Sequence, residues 1–348
     1  MLKKKLNVHY TIKFKKHFPN IGNNIFISET AKVIGNTEVA ENTKIFDNVI
    51  LRGDGEKIKI GKNCTFNKRC TVHVASDFLG TKIGNNCFFD EYSVIHACSI
   101  GNNVLVGENS VIMDNSVVSD YSIILPDTLI PPGKNFEKFS LISGSPAKCT
   151  KKIDKLFFKN FILENFKSKI NHSSYIKKTN SKFKKFKING KKIFISNDVI
   201  VSCCIIANEN SSIWFSSILN SPDNKGTVIL GKGSNIQDNS ILNTNGKKIE
   251  IGERVTIGHN VVINGNTLIC NDAVVGMGSV LEKNCIIEEG GFIAAKSYVQ
   301  EDTKVPKGQI YAGNPAKFFR NVSSKEKEFF SMGQKIYEKL SEEYLQNN

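Results

Sequence analysis

The sequence predicts a mainly β protein made of two tandem parallel β-helices, each followed by an α-helix. Three observations carry that expectation. An aliphatic or aromatic residue recurs at every sixth position, Gly and Asn turn signals fill the intervals, and the whole scheme occurs twice along 348 residues.

In the first half the recurring positions are Ile27, Val33, Val39, Ile45 and Leu51, then Ile60, Phe66 and Val72, then Ile83, Phe89 and Ile95. A further run holds Ile100, Val106, Ile112, Val118 and Ile124. The second half repeats the pattern with Ile195, Val201, Ala207, Ile213 and Leu219, then Leu230, Ile236 and Leu242. It ends on an unbroken series from Ile251 to Ile293. An amphipathic helix needs apolar residues at spacings of three and four, so a period of six excludes it. A coil of three short strands satisfies the period, with one residue per hexad pointing inward and a turn at each corner. Gly and Asn supply the corner conformations that bulkier residues resist. Each coil hydrogen-bonds to the next at ~4.8 Å, so only a stack of coils is stable.

Taken in order, residues 1–20 form a basic arm, with six Lys and no acid among the first 18. Residues 21–170 form the first β-helix, which closes on Gly144-Ser145-Pro146-Ala147-Lys148 and continues into a helix from Lys151 to Ile170. Residues 171–190 read as a Lys-rich linker. Residues 191–348 form the second β-helix, closing on Gly313-Asn314-Pro315-Ala316-Lys317. Its helix runs from Ser324 to Leu345, with Phe329, Phe330, Met332, Ile336, Tyr337, Leu340 and Tyr344 as the stripe that packs back on the β-helix flank.

The net charge of +14 is concentrated in two segments. Residues 149–192 alone carry 14 Lys against Asp154 and Glu164, and the remaining β-helical body is slightly acidic. Evenly spread Lys reads first as a solvated linker, with an acidic partner such as anionic lipid or RNA as the alternative. Nucleic acid is not the expected partner. No stretch approaches the ~18 apolar residues of a membrane span. Nine Cys without a C-x-x-C spacing and without a secretory signal point to a reducing compartment and buried free thiols. The basic segment from Met1 to Phe18 is compatible with a mitochondrial transit peptide, although it lacks Arg and Ser. A cytoplasmic location is the alternative.

The hexad register also places candidate chemistry. Val72 and Ile95 point inward, so His73 and His96, one residue later, point outward. Both fall on the third hexad of a coil, on one face and one coil apart, at roughly 5 Å. That spacing lets both hold one metal ion, since Zn–N bonds are about 2.0–2.1 Å. A catalytic site needs a third ligand.

Here the chain resembles the γ-class carbonic anhydrases over most of both halves. The family pattern has an Arg-Gly-Asp turn, a Gln-Asp pair, a first His ligand, and a Gly-His pair followed five residues later by a last His. The resemblance implies left-handed winding and a metal site between neighbouring β-helices, with first and last His from one and the middle His from the other. The first half keeps Arg52-Gly53-Asp54, His73 and His96, but has Glu91 at the middle ligand and Asn67-Lys68 at the Gln-Asp pair. The second half keeps Gln237-Asp238 and Gly258-His259, but has Asn220-Ser221-Pro222 at the turn and Asn243 and Asn264 at the outer ligands. The losses are complementary. Side by side, the halves would build one His73–His96–His259 site, and the converse interface of Asn243, Asn264 and Glu91 would be inert.

The resemblance implies Zn2+ at that site, with Fe2+ or Co2+ as substitutes, and reversible hydration of CO2 to bicarbonate, one site per chain. Arg52, Asp54 and Asp238 would lock the interface, Gln237 would orient water or substrate, and Glu56 is a weak proton-shuttle candidate. A ring of three β-helices would be completed by another copy or a related subunit. The first alternative is a non-catalytic assembly subunit of a mitochondrial membrane complex, reached through the basic segments. A hexapeptide acyltransferase is the second, and the scarcity of long loops counts against it.

Overall fold

A computed structural model describes residues 10–165 and 185–347. Residues 1–9 of the expected basic arm and most of the linker fall outside the described residues. The chain divides into two compact units, residues 1–178 and 179–348.

Each unit is a parallel β-solenoid. In the second unit the short strands stack into three sheets of seven, eight and six strands, one for each side of the coil, parallel except where Lys317–Asn321 folds back antiparallel on Gln309–Ala312. In the first unit two of the three sides merge into one twelve-stranded sheet, because Lys32–Val39 and Ile50–Ile60 run continuously around a corner. The third side is an eight-stranded sheet. Register stacks like on like: Ile45 on Phe66, Phe66 on Phe89, Phe89 on Val106 and Val106 on Ile124. The hexad residues from Val33 to Ile124 form the core of the first unit, with Ile27 packed against its end. Those from Val201 to Ile293 form the core of the second, with Ile195 at its end.

Corners explain the Asn content. Asn42, Asn63, Asn86, Asn103, Asn266 and Asn284 all sit in the left-handed region, with φ between 54° and 62°, where Asn is among the few residues tolerated. Their amides also bond along the stack, Asn63 to Asn86 at 2.9 Å and Asn266 to Asn284 at 2.8 Å.

Both solenoids extend beyond their expected starts. Thr11–Ile12 and Asn20–Ile21 pair with Lys32–Val39, and Lys185–Asn189 pairs with Cys204–Asn208. The first helix, α1, begins later than expected, at Lys155–Asn165. Residues Lys151 and Lys152 instead finish the strand Ala147–Lys152, which folds back antiparallel on Ser140–Gly144. Asp154 then caps the helix, its Oδ1 accepting the Phe157 amide at 2.7 Å. The end of the helix expected to Ile170 lies outside the described residues. Phe158 and Ile153 seat α1 on the outer face of the sheet, against Phe88, Leu105 and Ile123.

The second helix, α2, spans Ser324–Asn347. Tyr337 and Tyr344 meet Trp214 edge-on, Phe330 stacks on Phe292, and buried Gln334 donates to the Gly233 carbonyl. Phe329 and Met332, expected in this stripe, face solvent. The contacting positions 330, 334, 337, 341 and 344 advance by four and three, which leaves 329 and 332 off the face.

Ser323 and Glu326 form a capping box. The Glu326 amide donates to Ser323 Oγ, and the Ser323 amide donates to Glu326 Oε2. The Arg320 guanidinium, bonded to the same carboxylate, holds Glu326 down at about 2. A carboxylate lowered in the folded state contributes stability above its ordinary value near 4.5 and loses it as pH falls toward 2. Between those limits, acidification is therefore expected to lower helix content at 222 nm in the native chain, and this component should vanish in Glu326→Gln.

Candidate functional site

In the first unit the site grows from the turn Arg52-Gly53-Asp54. Two glycines let neighbouring coils close around it. A Cβ at Gly55 would lie 2.1 Å from the Ser76 carbonyl oxygen, and one at Gly53 would lie 2.7 Å from that of Asn36. Arg52 pairs in register with His73, and His73 with His96, so the three lie on adjacent coils of one face. All three, with Asp54, are buried.

The hydrogen bonds set the protonation of the rings. A carboxylate only accepts, so a ring nitrogen bonded to it carries the proton. His73 Nε2–H donates to Asp54 Oδ1 at 3.0 Å, and His96 Nδ1–H donates to Asp114 Oδ1 at 2.5 Å. Asp54 is itself held by Arg52 Nη1 at 2.6 Å. With their outer nitrogens donating to carboxylates, the inner nitrogens, His73 Nδ1 and His96 Nε2, face each other 3.3 Å apart. Two nitrogens bonded to one tetrahedral Zn2+ at about 2.05 Å would be separated by about 3.3 Å. The pair therefore fits one edge of such a site.

In the second unit, His259 is fully buried and its Nδ1 lies 3.1 Å from Asp238 Oδ2. The other oxygen of Asp238 accepts the Phe215 amide at 3.1 Å. Gln237, also buried, donates to Asn235 Oδ1 at 3.3 Å. Asn243 and Asn264 occupy the register that His73 and His96 hold in the first unit. They form a polar ladder instead: Asn243 donates to Asn264, Asn264 to Glu282, and the Tyr298 hydroxyl reaches Glu282 at 3.3 Å. An amide nitrogen has no lone pair to offer a cation, and each of these amides donates to its neighbour down the stack.

Arg52, Asp54, His73 and His96 are thus brought together within one unit, and Gln237, Asp238 and His259 are neighbours in the other. Two contacts went beyond the sequence reading. Asp54 and Asp238, expected as interface locks, each face a histidine. Asp114 was not anticipated; it lies 18 residues after His96, one place beyond the 17-residue register of Ile95 with Ile112. Glu56 is exposed beside the loop 75–80, its amide bonded to the Ser76 carbonyl at 2.8 Å. The thiols take no part. Burial pushes Cys70 up to about 12 and raises Cys98 as well.

A family model described as dynactin subunit 5 matches residues 14–172. Gamma carbonic anhydrase 1, mitochondrial, from Arabidopsis thaliana is 34% identical over 173 residues, 48% of this chain and 62% of that protein. Protein YrdA from Escherichia coli is 32% identical over 141 residues, 39% of this chain and 77% of that protein. A solved hexapeptide transferase family protein from Anaplasma phagocytophilum shares 30% identity, covering 45% of this chain and 96% of that one, with a TM-score of 0.37. The chain spans about three-fifths of the length of the Arabidopsis relatives it matches.

Proposed function

Since the chain belongs to the γ-carbonic anhydrase-like family of hexapeptide-repeat β-helix proteins, we propose that it hydrates CO2 reversibly at one metal site per chain, held by His73 and His96 from the first unit and His259 from the second. The observation that carries this reading is the His73–His96 pair, whose facing nitrogens are 3.3 Å apart with both outer nitrogens bonded to carboxylates. Asp238, with Oδ2 3.1 Å from His259 Nδ1, puts a carboxylate beside the third ring as well.

A divalent cation bound by three neutral imidazoles supplies a Lewis acid that lowers the pKa of water to about 7. Zn2+ is the first choice, and Fe2+ or Co2+ suit the same nitrogen donors. Arg52 holds the Asp54 carboxylate, which in turn orients His73. Asp238 does the same for His259. Gln237, next to Asp238 and buried, supplies the amide that orients water or CO2. Glu56, exposed on the strand Ile50–Ile60 two residues after Asp54, passes the proton to solvent.

The assembly we propose is a ring of β-helices completed by another copy or a related subunit, in a mitochondrion as for the Arabidopsis relatives. No helix among the described residues is long and apolar enough to cross a membrane. The dynactin subunit 5 match and the Asn243–Asn264 ladder favour a second reading, a non-catalytic assembly subunit. Metal content separates the two. The enzymatic reading expects about one Zn2+ per chain after purification and dialysis, measured by atomic emission. A chain that retains no more metal than His73→Ala, and takes up none on titration, belongs to the second reading.

A further inference from the structure

We infer that Asp114 is a positioning residue, one that fixes the tautomer and ring orientation of His96 and thereby the site's affinity for its metal. The inference rests on the metal-site reading for its consequence, but the positioning itself is visible without a metal.

His96 lies on the coil face between His73 above and Asp114 below. Its two ring nitrogens point to these two neighbours, Nε2 to His73 at 3.3 Å and Nδ1 to Asp114 at 2.5 Å. An imidazole in water leaves its neutral proton to exchange between both nitrogens. The carboxylate ends that exchange by accepting from Nδ1, so Nε2 keeps its lone pair on the side of His73. Asp114 follows His96 by 18 residues, one more than the 17 that separate Ile95 from its register partner Ile112. Past the corner the offset grows to 18, with the Asn115 amide donating to the Ala97 carbonyl at 2.8 Å, and this corner brings the Asp114 carboxylate to the ring.

The duplicated half supplies an independent instance. Glu282 follows Asn264 by the same 18 residues, and its Oε2 accepts the Asn264 amide at 3.1 Å. In both units an acid one coil below receives the proton of the residue at the last-ligand position. The acid sits there whether the residue above is His or Asn. That identifies the acid's role as orienting its neighbour through a hydrogen bond. Partners of this kind typically change metal affinity by about 10–100-fold when removed.

The test uses the full chain with Asp114→Ala, Asp114→Asn and Asp114→Glu. Long-range 1H–15N spectra of the chelator-treated protein at alkaline pH read the His96 tautomer, assigned against His96→Gln. The native chain is expected to show the Nδ1–H form. Asp114→Ala should shift it toward Nε2–H, whereas Asp114→Asn and Asp114→Glu, which still accept, should keep it. Competition against a chelator should show Co2+ binding weakened about 10–100-fold in Asp114→Ala, with the Asn and Glu variants closer to native. An unchanged tautomer in a folded Asp114→Ala chain overturns the inference. If that variant does not fold, a native-like tautomer in Asp114→Leu does so. A native chain that shows the Asp114-dependent tautomer yet binds no Co2+ supports the positioning role and sinks the metal reading instead.

Discussion

Replacing His259 by Ala is expected to abolish CO2 hydration as completely as replacing His96, with at least about a 100-fold fall in kcat/KM, since removal of a ligand's hydrogen-bond partner alone costs about 10–100-fold in such sites. The result is informative because the two histidines belong to different repeats of the duplication. If each half worked alone, His259 would lack histidine partners at the corresponding positions of its own unit, where Asn243 and Asn264 stand. Its loss would then change nothing. The control is Asn264→Ala, expected to leave kcat/KM within about twofold while lowering stability by about 0.5–1.5 kcal/mol for the broken hydrogen bonds. Stopped-flow measurement of CO2 hydration with a pH indicator reads all three chains. An active His259→Ala chain that is silenced by Glu91→Gln would mean that the first half supplies every ligand, and the composite site would have to be abandoned.

The core was legible because period six is a local property. One residue per hexad must point inward wherever the coil is regular, and Val72 and Ile95 do so, which fixes His73 and His96 one position later. The same register leads from His96 to Met113, because Ile95 pairs with Ile112 only 17 residues on, and Asp114 reaches the ring from one place further, at the corner. Asp54 facing His73 was harder to foresee. Strand Ile50–Ile60 rounds a corner at this point, and the direction of a side chain after such a bend depends on the close approach that Gly53 and Gly55 permit. Lys151 and Lys152 misled for a different reason. A basic, polar hexapeptide has little strand propensity, and its pairing with Ser140–Gly144 is decided by tertiary contact with the last coil. Phe329 and Met332 show the limit of reading a helix stripe by hydrophobicity alone, since polar Gln334 and Ser341 take the buried positions instead.

Phe89→Ala is expected to carry the largest stability cost of any single change in the first unit, about 3–5 kcal/mol. The ring is fully buried and lies flat on Phe66, centroids 4.7 Å apart with planes 2° from parallel. Above and below, the peptide ladder holds Phe66, Phe89 and Val106 at the fixed spacing of successive coils. In a helical bundle, neighbours can shift to fill a void. Here, collapse would break hydrogen bonds on three sides of the coil, so most of the cavity should persist. A loss of this size is a large share of the about 5–15 kcal/mol that holds a typical domain folded. In a solenoid it also weakens the interfaces with both adjacent coils. Phe89→Leu, which keeps much of the volume, should cost markedly less. Urea unfolding followed by far-UV circular dichroism measures the shift. Trp214, the sole tryptophan, lies in the second unit and gives its transition separately by fluorescence. A Phe89→Ala chain within about 1 kcal/mol of native would show that the coils relax freely around a missing side chain, contrary to a core held at fixed spacing by its backbone.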